Sequence, residues 1–407
     1  TSFRKETVGG LVTFLAMAYI LAVNPNMITA SGIPLGGAFM ATAIGAAIAT
    51  LIMAFTANYP VALAPGMGVN AFFTFTIVKS IGYTWQETLA ISFIGGLIFV
   101  AITFTPLRKK LIEAIPKSLR AAIGVGIGFF IAFVGLNNAK IIVADSATLV
   151  KLGNLADPSV LVALFGIILI IVLYNLRHKI NRFAFIIAIV GTALLYVILS
   201  SAGVFPAIQL LNYSELGTFG DTFGGFIKGF GSLFEETTVE TFGGIKTMTA
   251  AAKLTTLPII LFSLIFVDIF DTAGTLVAVT KAADLQDEEG NIPNLDKALF
   301  ADAIGTLVSS VLGTPESSTG VESGARTGFS NLVVAGLFLL SIALFPVMSI
   351  FNIFPITSMA LVLVGVLMAG QITEIDWSDK ATTIASVFTI LGMVLTYSVA
   401  DGIAFGF

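Results

Sequence analysis

The chain has 407 residues, of which 57% are hydrophobic and only 11% charged, with a net charge of −4. Soluble domains carry about 25% charged residues, so this chain lacks the polar surface for a single water-facing core, and its weak acidic balance offers nothing to a nucleic acid. It contains no cysteine, which excludes disulfides, thiolate metal sites and cysteine nucleophiles.

Apolar windows near the length that crosses a bilayer, about 20 residues, recur along the whole chain. They fall at 8–23, 38–55, 65–78, 89–104, 119–136, 160–176, 183–199, 254–280, 298–312, 320–330, 332–351, 355–368 and 382–396, with another beginning at Ile403. By that length criterion they amount to about fourteen spans, an all-α polytopic membrane protein. Thr1–Ile20 lacks a small-residue cleavage site and is expected to be a span rather than a cleaved leader. The windows 65–78 and 320–330 are too short to cross alone and are interrupted by Gly or Pro. Such a pair points to broken helices around a mid-membrane substrate site. Between the seventh and eighth windows, 205–253 mixes Phe with acids and glycines ("GFIKGFGSLFEETTVETF") and reads as an outer loop carrying a short amphipathic helix.

Lys and Arg set the orientation. With Arg4 and Lys5 in the cytoplasm, alternating spans place Arg108, Lys109, Lys110, Lys117, Arg120, Arg177, Lys179, Arg182, Lys281, Lys297, Arg326 and Lys380 on the inner side. The outer side keeps Lys79, Lys140, Lys151, Lys228, Lys246 and Lys253. The expected location is the inner (plasma) membrane, multi-pass, with both termini cytoplasmic. The sole histidine, His178, lies in the inner "RHKINR" loop and is read as solvated.

Two segments repeat. "AFMATAIG" (38–45) resembles "ALFADAIG" (298–305), and "AVNP" (22–25) falls opposite "IFDT" (269–272) at nearly the same offset. An odd number of spans separates the copies, so they lie upside down relative to each other, the pattern of secondary transporters.

Charged groups at membrane depth cost at least ~2.5–3.5 kcal/mol each and normally face a cavity. Asp268, Asp271, Glu316 and Glu322 stand out. The two aspartates, three residues apart, share a helix face. Asp271 has no Lys or Arg in its window before Lys281, which favours a functional carboxylate over a structural ion pair. The two glutamates lie in "GTPESSTGVESGARTG" (313–328), and the matching stretch, "PVALAPGMGVNAFF" (60–73), carries Gly68 and Asn70. Irregular backbone there must line protein or water. Helix N-termini would offer N–H groups to substrate acceptors, and the carboxylates would accept substrate N–H donors. Both together suit a planar heterocycle with N–H and C=O edges. Carboxylates without Cys or membrane His leave only a hard-cation site as the metal alternative; no metal or cofactor is expected.

"FLAMAYILAVNP", "APGMGVNAFF", "FVDIFDTAGT" and "TPESSTGVESGARTG", in that order along the chain, resemble the nucleobase–cation symporter-2 family, and more narrowly its azaguanine-like branch, which transports hypoxanthine, guanine or adenine with protons. The resemblance implies seven plus seven inverted spans, with spans three and ten each beginning as a short strand, the two antiparallel. It implies a core domain from 1–110 and 254–353, a gate domain from 111–203 and 354–407, and an outer loop at 204–253. Asp271 stands where the family keeps its span-eight acid. Glu322 stands where it keeps the span-ten acid, with Glu316 as rival because "ESG" is shorter than the wider family's pattern. Thr275 takes the place of the histidine found in uracil carriers, which favours purines. Substrate contacts are expected from Asp271, Glu322, Asn70, Thr275, Ser318, Thr319, Gly320 and Gly68. Proton coupling is expected from Glu322, Asp268, Asp271 or Glu316. The expected partners are a purine base and the bilayer, with room for a homodimer.

Two rivals were weighed. An anion transporter of the same fold is disfavoured by acids at the crevice. An intramembrane aspartyl protease is disfavoured because no Gly-x-Gly-Asp occurs. No enzymatic activity is expected.

Overall fold

The computed structural model describes residues 2–105, 117–176, 183–282, 294–314, 317–318, 325–351 and 353–406; within 269–282 and 317–318 the description is of the backbone. His178, Glu316, Thr319, Gly320 and Glu322 lie outside the described residues.

α1 (Phe3–Met17) and α2 (Ile20–Thr29) form the first span, followed by α3 (Leu35–Thr56). An extended stretch then reaches β1 (Leu63–Ala64) and re-enters helix as α4 (Met67–Ala71), which widens into a π-helix at Phe72–Ile81. α5 (Trp85–Thr103) starts from a capping box in which Thr84 and Glu87 satisfy each other's backbone N–H groups. α6 (Lys117–Asn138), α7 (Pro158–Asn175) and α8 (Ala184–Ser201) complete the first half.

After the segment 205–249, with its short helix α9 (Gly225–Ser232), come α10 (Ala250–Ala282), α11 (Leu295–Leu312), β6 (Ser317–Ser318) and α12 (Phe329–Leu340). The last helices are α13 (Phe354–Ala369), α14 (Lys380–Leu395) and α15 (Val399–Gly406). Among the described residues nine helices are long and apolar enough to cross a membrane, and Met67–Ile81 and Lys380–Leu395 are shorter apolar helices. The short third window is thus a broken helix.

The helices pack in two groups. α3 lies against α2, α11 and α12, α5 against α10 and α11, and α1 against α12. In the other group α6 lies against α13 and α14, α7 against α8 and α13, and α14 against α15. Helices in lipid associate through close backbone approach at small residues. α6 and α13 cross at Gly128 and Gly365: a Cβ on Gly128 would lie 2.6 Å from the Gly365 carbonyl oxygen, and a Cβ on Gly365 would run into that of Gly128.

β1 and β6 pair antiparallel, Leu63 opposite Ser318 and Ala64 opposite Ser317. Two hairpins were not foreseen by the helical reading: β2 (Ile142–Asp145) with β3 (Leu149–Leu152), and β4 (Thr237–Thr241) with β5 (Gly244–Met248). Both lie in connecting segments, where β-branched runs such as "TTVET" favour strands. At the tip of the first, Lys151 lies 2.8 Å from Asp145. That contact, with the N–H groups of Ala147 and Thr148, holds the Asp145 carboxyl at about 2.

Lys253 is fully buried at the start of α10. Its Nζ lies 2.7 Å from Glu87 Oε1, both side chains inaccessible, and donates to the carbonyls of Ser232 and Glu235 at 2.9 and 2.8 Å. Thr237 donates to the same Glu87 oxygen at 3.3 Å. A buried ion pair is tolerated when further hydrogen bonds satisfy each charge, and here they fasten the segment before α10 onto α5. The segment also reaches α3, where Gly37 N–H donates to Thr218 Oγ1 at 2.9 Å.

Candidate functional site

The stretch between α3 and α4 cannot be helical throughout, because Pro60 and Pro65 each remove an N–H and push the preceding residue toward extended geometry. At membrane depth its backbone groups still need partners. Thr50 of α3 supplies two at once: its hydroxyl donates to the Leu63 carbonyl at 2.8 Å and accepts the Leu63 N–H at 2.9 Å. Asn331 of α12 donates to the carbonyls of Tyr59 and Val61, both at 2.9 Å. Asn58, at φ 57°, accepts the Gly328 N–H through its side chain at 2.9 Å. Gly328 is required there, since a Cβ would lie 2.6 Å from the Ala54 carbonyl oxygen. The strand is therefore held from both halves of the chain.

Around this break α4 packs against α2, α6 and α10, and β6 packs against α10 and α11. Asn24 of α2 joins three of these elements. Its amide nitrogen donates to Thr42 Oγ1 of α3 at 2.8 Å and to Thr314 Oγ1, just before β6, at 3.2 Å; its oxygen accepts from the Asn70 amide of α4. All four residues are fully buried.

On α10, Asp268 is buried and accepts from Thr306 of α11 at 3.2 Å, the same hydroxyl reaching the Asp302 carbonyl at 3.3 Å. Asp271 and Thr275 follow on the same helix, one and two turns on; their side chains lie outside what is described. Ser318 is a β6 strand residue. Gly68 faces the other group of helices: a Cβ there would lie 3.4 Å from Ile127 Cγ2 of α6 and 3.6 Å from Met368 Cε of α13, ordinary contact. Arg326 is exposed, and its backbone N–H donates to Glu6 Oε1 at 3.2 Å.

Sequence reasoning passed over Asn24, Thr42, Thr314 and the buried Asp302. The repeat carried the signal for three of them. "AVNP" sets Asn24 opposite Asp271, and "AFMATAIG" against "ALFADAIG" sets Thr42 opposite Asp302.

Bilayer-length helices surrounding a buried, polar, strand-paired break define a polytopic membrane transporter. The chain belongs to the Permease family, whose model matches residues 4–405, and it is a transporter rather than an enzyme. It is 41% identical to the putative permease MJ0326 of Methanocaldococcus jannaschii over 100% of this chain and 88% of that protein. It is 38% identical to the guanine/hypoxanthine permease PbuO of Bacillus subtilis over 100% of this chain and 90% of that one. Among solved structures, the transmembrane domain of the cyanobacterium bicarbonate transporter BicA superposes with a TM-score of 0.62 at 16% identity, over 99% of this chain and 98% of that one. At that identity the likeness shows the fold alone.

Thr50 gives the scaffold its clearest test. Thr50→Val leaves the Leu63 N–H and C=O without the hydroxyl, at about 1–3 kcal/mol for each buried group, while Thr50→Ser keeps both bonds. Purified Thr50→Val protein is expected to melt several degrees below wild type and Thr50→Ser close to it. Equal melting of all three would show that the strand is held by other contacts.

Proposed function

We propose that this permease carries purine nucleobases (hypoxanthine, guanine or adenine) into the cell together with protons, by movement of a core domain against a gate domain. The observation that carries this is the end-to-end match to a guanine/hypoxanthine permease. It is supported by a buried amide, Asn70, on the helix that follows the strand-paired break.

In this proposal the chain has fourteen spans arranged as seven plus seven inverted repeats, with both termini cytoplasmic. The strand pairing supports that symmetry. Aligning "LAPGMG" (63–68) with "SSTGVE" (317–322) makes Leu63 the counterpart of Ser317 and Ala64 that of Ser318, and the register pairs each with the other's counterpart, as a two-fold axis between them requires. The core comprises 1–110 and 254–353, the gate 111–203 and 354–407, and 204–253 is an outer segment; the two groups of packed helices support this division. Asp271 and Glu322 grip the base, with Asn70, Thr275, Ser318, Thr319, Gly320 and Gly68 around it. Glu322 carries the proton, with Asp268 as the second candidate, then Asp271 and Glu316. A proton carrier linked to substrate must change its protonation with substrate occupancy, a change that a carboxyl can make.

Two experiments test these assignments. Asp271→Asn exchanges an acceptor for donors, a mismatch of about 1–3 kcal/mol, and should weaken base binding tenfold or more at unchanged folded yield. In the same vesicles Glu322→Gln should retain base exchange and lose gradient-driven accumulation. Unchanged binding in the first, or accumulation still rising as outside pH falls in the second, would remove that residue from its role. For the domain movement, the cysteine-free background allows a Gly68→Cys, Ile127→Cys pair. Its oxidation should stop uptake and reduction restore it; uptake indifferent to the cross-link would contradict motion between α4 and α6.

A further inference from the structure

The hydrogen bonds around Asn24 have a direction. Thr42 Oγ1 donates to the Ala38 carbonyl one turn back in α3, at 2.6 Å. A hydroxyl has one proton, so toward Asn24 it can only accept. Asn24 must therefore present its amide nitrogen to Thr42, and the same nitrogen reaches Thr314. Its oxygen is then turned toward Asn70, which must answer with its own amide nitrogen. Asn70 Oδ1 is left over: it is buried, with no hydrogen-bond partner among the described residues.

An isolated amide can exchange its oxygen and nitrogen by a half-turn. This one cannot do so alone, because its oxygen would then face that of Asn24. Turning both amides would set the Asn24 oxygen against a Thr42 hydroxyl whose proton is committed to Ala38. The polarity runs in one sense from the α3 backbone to Asn70. A buried acceptor left unpaired is unfavourable, so its persistence calls for a donor that the described residues do not provide.

We infer that Thr42 and Asn24 are positioning residues that lock the Asn70 amide with its oxygen outward, making it a dedicated acceptor for one ring N–H of the transported base. This rests on the purine proposal above. A site built around a substrate N–H discriminates strongly against an analogue that lacks it, because the protein group is then left unpaired. Thr42 and Asn24 would thus govern which purine edge is accepted without touching the base.

The test is binding of hypoxanthine and a series of its deaza analogues, each ring nitrogen replaced in turn by carbon, to purified full-length protein. Wild type is expected to lose tenfold or more at the one position whose N–H meets Asn70. Asn70→Ala should lose that discrimination. Thr42→Val and Asn24→Ala, which free the amide to turn, should reduce it to about threefold or less, and Thr42→Ser should retain it. If Thr42→Val and Asn24→Ala instead weaken every analogue by the same factor and preserve the ranking, the two residues are merely structural and the inference falls. If Asn70→Ala keeps the wild-type ranking, the acceptor is elsewhere. Failure of wild type to bind hypoxanthine, guanine or adenine would overturn the purine proposal itself.

Discussion

The antiparallel pairing of Leu63–Ala64 with Ser317–Ser318 is the constraint on which the rest of the arrangement depends. Two stretches of chain leave helical geometry where no water is available, and each backbone group they expose must be answered from within the protein. They pair with each other, and α3 and α12 add partners for Tyr59, Val61 and Leu63 of the first through Thr50 and Asn331. Because the partners come from distant parts of the sequence, neither break can form correctly until both halves of the chain are in place. The polar site is a consequence: Asn24, Thr42, Asn70 and Thr314 are brought together by the elements that close around the pair.

The surrounding helices separate two kinds of packing. α6 and α13 meet backbone to backbone through glycines, a contact with no side chain to rearrange and suited to a body that moves as a unit. The segment before α10 is fastened differently, by the buried Lys253–Glu87 pair and its carbonyl partners. Those bonds run to α5 and α10, so 232–253 belongs with that group of helices. Gly68 lies where the two groups touch, close to Ile127 and Met368.

Much of this was legible in the sequence. The apolar windows mark the described helices to within a few residues, since a membrane span is dictated by length and hydropathy alone. The Gly/Pro-interrupted third window predicted a broken helix, and β1 with its partner β6 is there. The hairpins at 142–152 and 237–248 were missed because hydropathy says nothing about polar connections. The burial of Lys253 could not be read from the sequence, because its acid lies 166 residues away. Asn24 escaped notice for a related reason: a single polar residue in an apolar helix gains meaning only from the Thr42 and Asn70 that the fold sets beside it. For Glu316 and Glu322 the motif remains the guide.

The central claim, that this permease moves purines on a proton gradient, is tested most directly by reconstituting the purified protein in tight liposomes and measuring uptake of labelled hypoxanthine. Accumulation above the outside concentration is expected with the lumen alkaline, collapse to equilibration on adding a protonophore, and competition by guanine or adenine but not by bicarbonate or sulfate. Accumulation indifferent to the protonophore would contradict proton coupling. Competition by the anions, with none by the bases, would contradict purine transport.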